Sequence, residues 1–182
     1  MMRVIAGDAR GTRLETLPGG EVTRPTVDRV KEGMFSAVQF VLPGARVLDL
    51  FAGSGQLGIE ALSRGAARCV FVDESREAVG VVTKNLKAAG MFTKAVVTNM
   101  NALSFLAGTR DAFDIVLLDP PYRHNTLAEI LPQVAAVVSE GGIVLAESEK
   151  GAQMPQEVEG LVLKKQYKYG TVLVTRYEKE QD

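Results

Sequence analysis

Asp119-Pro120-Pro121-Tyr122 follows the apolar run Ile115-Val116-Leu117-Leu118. Such a run reads as a buried parallel strand, and open α/β sheets place their ligands just outside the carboxyl ends of their strands. The quartet suits one kind of chemistry. The Asp119 carboxylate and the Pro120 carbonyl both accept hydrogen bonds, and Pro121 removes a donor and restricts Pro120, so the acceptors are held in place. Two fixed acceptors can grip an amino group on a planar ring and draw its lone pair out of conjugation. Tyr122 offers a flat face for a base taken out of its stack. The combination is suited to attack by a base amino nitrogen on a methyl donor. The plainer reading is a Pro-Pro turn that closes a strand.

A second motif lies upstream. Arg46-Val47-Leu48-Asp49-Leu50-Phe51 reads as a strand, followed by Ala52-Gly53-Ser54-Gly55-Gln56-Leu57-Gly58 and a helical stretch. Gly53, Gly55 and Gly58 satisfy G-x-G-x-x-G, and a next strand, Cys69-Val70-Phe71-Val72, ends at Asp73, placed to take the two hydroxyls of a ribose. Asp49 argues against a dinucleotide, because a carboxylate beside a pyrophosphate is repulsive. S-adenosylmethionine carries a sulfonium and an ammonium and no phosphate, which suits an acid beside a glycine loop. The plainer reading of Asp49 is a cap on the turn that follows.

These motifs carry a resemblance. Val47 to Gly55, with Asp119 to Tyr122, is similar to the class I S-adenosylmethionine-dependent methyltransferases that modify amino nitrogens. Arg3-Val4-Ile5-Ala6-Gly7, Arg10-Gly11 and the segment from Arg24 to Glu32 resemble the opening of the bacterial 16S rRNA guanine-N2 methyltransferases of the RsmD type. Leu62 to Ala66 and Asn101 to Leu106 fit as well, so the resemblance runs over nearly the whole chain. It implies a seven-stranded sheet whose last strand is antiparallel, S-adenosylmethionine as cofactor, and methylation of a guanine N2 amine in 16S rRNA or a small-subunit assembly particle. It implies Asp119, Pro120, Pro121 and Tyr122 as the catalytic set, and Asp49, Phe51, Gly53, Gly55, Asp73 and Asn101 around the cofactor. Two positions depart from the family pattern. Asp73 stands where Glu is frequent, and Asn101 stands where an acid often lies near the adenine.

The elements that position these residues follow from periodicity. A short hairpin is expected over residues 3–17, and residues 1–26 form an extension to one domain of 1–182. Val27, Val30, Met34, Val38 and Val41 recur at helical spacing up to Pro43-Gly44. Strands are expected near 46–50, 69–73, 94–98, 114–118 and 142–147, with helices near 56–64, 75–89, 101–107 and 126–138. This alternation implies an α/β, doubly wound, mostly parallel Rossmann-like sheet. Leu161 to Leu163 and Thr171 to Val174 read as a terminal hairpin.

Composition narrows partners and compartment. The chain has 182 residues, a formal charge of −1 and one cysteine. Cys69 lies in an apolar stretch, which fits core filling and a reducing, cytoplasmic setting. No apolar run reaches the ~18 residues of a membrane span. Basic residues cluster locally, and Arg24, Arg29, Lys31, Arg123, Lys164, Lys165 and Lys168 are candidates for RNA phosphates. Arg24 can also lie beside the cofactor, Arg123 can be a plain surface charge, and the tail can be a solvated hairpin face. His124 reads as an exposed loop residue. No metal set and no obligate protein partner are expected. Three other functions fit less well: an adenine-N6 methyltransferase on DNA or RNA, a nicotinamide-dependent dehydrogenase, and a non-catalytic RNA-binding module.

Overall fold

The computed structural model describes residues 2–19, 24–121 and 126–182, with the backbone alone at 24–26. Its strands are β1 (Arg46–Asp49), β2 (Arg68–Asp73), β3 (Ala95–Asn99), β4 (Phe113–Leu118), β5 (Val138–Glu149), β6 (Glu157–Val158), β7 (Leu161–Tyr169) and β8 (Val172–Lys179). The helices are α1 (Arg24–Ser36), α2 (Gln56–Ser63), α3 (Arg76–Ala88), α4 (Ala102–Gly108) and α5 (Thr126–Ala135). The strands form one sheet in the order β3-β2-β1-β4-β5-β8-β7-β6. β1 to β5 are mutually parallel, and β8 runs antiparallel to both β5 and β7.

The α/β, doubly wound reading holds, with its antiparallel last strand. The strand count differs: eight among the described residues, not seven, because the two-residue β6 pairs with the edge of β7. So short a segment carries no alternation to read in sequence.

Each face of the sheet is covered. Val30, Met34 and Phe35 of α1, Ile59 and Leu62 of α2, and Val82 and Leu86 of α3 pack on one side against Val47, Ile115 and Leu145. Leu106 of α4 and Ile130, Leu131 and Val134 of α5 pack on the other against Leu48, Val116 and Val144. The order reverses between β1 and β4, which opens a crevice at their carboxyl ends.

Two N-terminal expectations change in detail. Residues 2–14 turn back as a narrow antiparallel bridge between Arg3 and Arg13, with Leu14 N–H on the Met2 carbonyl at 2.9 Å. α1 ends at Ser36, short of the expected Val41. The chain continues through tight turns that still bury Val38 and Leu42, while Val41 is exposed. The apolar spacing therefore outlasts the helix.

Candidate functional site

The glycine loop is held from three sides. Gly55 has φ 82°, a left-handed conformation that a side chain disfavours, and it is the N-cap of α2. A Cβ on Gly58 would run into the Phe71 ring, so this glycine lets α2 lie close on β2. Gly58 N–H donates to Asp49 Oδ2 at 2.9 Å, and Gly53 N–H donates to Asp73 Oδ2 at 2.9 Å. The acids ending β1 and β2 thus fix the loop between them.

Beside the loop lies a cavity of about 480 Å³ lined by Leu17, Leu50, Phe51, Gly53, Asp73, Glu74, Met100, Asn101, Ala102, Asp119, Pro120 and Pro121. The sequence candidates Phe51, Gly53, Asp73, Asn101, Asp119, Pro120 and Pro121 meet there. Asn101 is the N-cap of α4, with Oδ1 accepting from Leu103 N–H at 3.0 Å and Ser104 N–H at 3.3 Å. Its Nδ2 donates to Glu74 Oε2 at 3.2 Å, so its amide is already engaged at the rim. Tyr122, Arg123, His124 and the Arg24 side chain lie outside the described residues.

The site is acidic and poorly solvated. Asp49 is fully buried, and its Oδ1 has no hydrogen-bond partner among the described residues. Burial pushes its carboxyl up to about 7, with Asp119 and Asp73 adding to the rise and the Gly58 amide opposing it. Burial also pushes Asp119 up to about 6. An orphaned carboxylate oxygen among further acids fits a cationic group and disfavours a phosphate. Those carboxylate acceptors suit the ammonium and sulfonium of S-adenosylmethionine. The apolar lining at Leu17, Leu50 and Met100 suits a flat ring.

Three residues carry site architecture that sequence reasoning missed. Glu60 of α2 accepts Ile5 N–H at 2.8 Å and Ala6 N–H at 3.1 Å, and pairs with Arg64 at 3.0 Å. Asn85 of α3 takes the Glu15 N–H at 2.8 Å and donates to Glu15 O and to Ser54 O at 3.0 and 2.9 Å. The N-terminal segment is thereby clasped to the glycine loop, which brings Leu17 to the cavity. Glu147 of β5 stands beside Asp119; burial and the Asp119 charge push its carboxyl up to about 8.

The proposed RNA set divides. Lys31 is corrected: it is buried, with Nζ on Glu60 Oε1 at 3.2 Å and on the Arg3 carbonyl at 2.7 Å, so it presents no charge to RNA. The apolar stripe of α1 carries it inward, and Glu60 is there to meet it. Arg29, Lys164, Lys165 and Lys168 are exposed. The three lysines do not share a face, however. Lys165 lies over the Tyr167 ring at 5.1 Å, Lys168 follows on the opposite face of β7, and Lys164 sits with Glu178 to Gln181 in a separate hollow.

Residues 2–178 match the family model described as Conserved hypothetical protein 95. The chain is 35% identical over 181 residues to the ribosomal RNA small subunit methyltransferase D of Escherichia coli K12, covering 98% of this chain and 90% of that one. It superposes on the solved structure of yhhF from Escherichia coli with a TM-score of 0.88 at 34% identity, over 100% of this chain and 99% of that one. The RNA methyltransferase of Salinibacter ruber, solved with S-adenosyl-L-homocysteine, shares the fold alone, with a TM-score of 0.67 at 18% identity over 90% and 95% of the two chains. The full-length match, the acids ending β1 and β2, and Asp-Pro-Pro at the end of β4 agree, and the chain belongs to the RsmD-type family of S-adenosylmethionine-dependent methyltransferases.

Proposed function

We propose that this protein methylates the exocyclic N2 amine of a guanine in small-subunit (16S) rRNA. The observation that carries the reading is the position of Asp119 and Pro120: both line the cavity that Gly53 and Asp73 also line, with Asp49 buried next to the glycine loop outside that lining. The named relative, a small-subunit rRNA methyltransferase D, supports rRNA as the substrate class.

S-adenosylmethionine supplies an electrophilic methyl group on a sulfonium. Asp49 Oδ1 is the buried acceptor for the cofactor's positive charge, and Asp73, beside the Gly53 amide, is the acceptor for ribose hydroxyls. Phe51, Met100 and Ala102 line the adenine side, with Asn101 fixing the start of α4. Asp119 and the Pro120 carbonyl accept hydrogen bonds from the target amine. They hold its nitrogen pyramidal and aimed, with its lone pair free to form the new N–C bond as the methyl–sulfur bond breaks. The excess proton on that nitrogen then leaves to Asp119 or to water. Tyr122 is assigned the stacking face for the extruded base. Catalysis is chiefly positioning together with a charged acceptor beside the nitrogen as it becomes positive. Arg29 and Lys165 are assigned to RNA phosphates, with Arg24, Arg123, Lys164 and Lys168 as further contributors.

The test is transfer of a labelled methyl group from S-adenosylmethionine to 16S rRNA, or to small-subunit particles, from cells lacking this protein. Transfer to rRNA with no response to NAD in thermal shift supports the reading. Cofactor binding without any transfer to either substrate contradicts it.

A further inference from the structure

Among the described residues, the cavity lies on one flank of Asp119, the side of β1, β2 and the start of α4. Its other flank is β5. β4 and β5 are parallel neighbours in register at Leu117–Leu145 and Leu118–Ala146. One residue further stand Asp119, just past the end of β4, and Glu147 of β5. Continuing the alternation by one residue puts both on the face of the Leu117–Leu145 rung, and the Asp119 charge acts on the Glu147 carboxyl. Glu147 is partly buried, and neither carboxyl has a hydrogen-bond or ion-pair partner among the described residues. Once both are ionised, two acceptors therefore sit side by side, and no donor among the described residues is paired with either.

That pattern selects one nucleobase edge. Guanine presents adjacent donors, N1–H and the N2 amine. Adenine presents an amine beside N1, which is an acceptor, so a second carboxylate would face a lone pair. We propose that Glu147 accepts the guanine N1–H while Asp119 holds the N2 amine, making Glu147 the residue that selects guanine over bases with an unprotonated N1. The proposal rests on the guanine-N2 reading above. Burial, with the Asp119 charge beside it, holds the Glu147 proton up to about 8 in the free protein.

The probe is 2,6-diaminopurine, which keeps the amine at C2 but has an acceptor at N1. The target nucleotide is first mapped on 16S rRNA, and ligated transcripts then carry guanine or 2,6-diaminopurine there. Single-turnover rates are compared above pH 8, where Glu147 is ionised. The wild type should prefer guanine by about tenfold or more, the direction expected when a site built for a donor meets an analogue lacking it. Glu147→Gln places an amide that accepts or donates, so the preference should fall by at least about fivefold while cofactor affinity stays level and the melting temperature does not fall. Glu147→Ala should lower the guanine rate with no gain for diaminopurine. A wild type that treats the two bases alike, or an E147Q protein that keeps the full preference, overturns the proposal. Absence of methylation at guanine by the wild type overturns instead the reading on which it rests.

Discussion

Asp73 Oδ2 accepts the Gly53 amide proton at 2.9 Å while its Oδ1 accepts the Ser75 amide at 2.9 Å. One carboxylate therefore joins the end of β2, the glycine loop and the start of α3. The acid assigned to the ribose also shapes the wall against which the cofactor lies.

Asp73→Ala should weaken S-adenosylmethionine binding about tenfold to a hundredfold. Loss of hydrogen bonds to a charged acceptor costs roughly 1.5–3 kcal/mol. Isothermal calorimetry on the folded variant measures this, and unchanged affinity removes Asp73 from the cofactor site.

Asp49 yields a pH prediction. An unfolded aspartate ionises near ~3.9, whereas burial raises Asp49 to about 7. Between those values the native state holds a proton that the unfolded chain has released. Its contribution to stability therefore falls as pH rises through this window, and the loss is complete above about 7. Asp49→Asn should raise the melting temperature of the ligand-free protein at pH 8 and leave it nearly unchanged near pH 4. The same variant should bind S-adenosylmethionine about tenfold more weakly or worse, because the buried counter-charge is gone. Melting curves across pH, with calorimetry at pH 8, check both halves.

Lys31 and Glu60 separate fold from RNA binding. Glu60→Ala leaves a buried ammonium without its counter-charge and two amides without their acceptor, and should destabilise by roughly 3–5 kcal/mol. Lys31→Met should cost less, since Glu60 keeps Arg64 and the Ile5 and Ala6 amides. Neither change should flatten the dependence of RNA affinity on salt. Removing Arg29 and Lys165 together should flatten it. Denaturant unfolding and binding titrations at several salt concentrations test the division, and a flatter slope for Lys31→Met would return Lys31 to the RNA surface.

Most of the scaffold was legible because its signals are local. Apolar runs ended by acids marked β1, β2 and β4, and glycine spacing marked the loop. What escaped depends on partners far apart in the chain. Glu147 lies in Ala146-Glu147-Ser148-Glu149, which reads as a charged strand end; only the β4–β5 register sets it beside Asp119. Glu60 and Lys31 each look like surface charges on their own helices. A signal was present for Lys31, which follows Val27 by one helical turn and so falls on the apolar stripe. Asn85 offered none, since its partners are backbone atoms of Glu15 and Ser54.

The catalytic quartet should respond in a set order. Asp119→Ala should keep much of the cofactor affinity and lose most methyl transfer, by about a hundredfold or more, the scale of removing one preorganised electrostatic contact. Asp119→Asn should recover only part of that, because an amide oxygen accepts without a charge. Tyr122→Phe should be mild and Tyr122→Ala severe if the ring face holds the base. Single-turnover kinetics read the ordering, and near-normal transfer by folded Asp119→Ala would end the positioning role.

The identity of the methylated nucleoside tests the account most directly. 16S rRNA from a strain lacking this protein is incubated with it and labelled S-adenosylmethionine, digested to nucleosides and resolved by mass and retention. The account predicts a single new product, N2-methylguanosine, absent with Asp119→Ala. Label in N6-methyladenosine, or on a ring nitrogen or ribose, would contradict it.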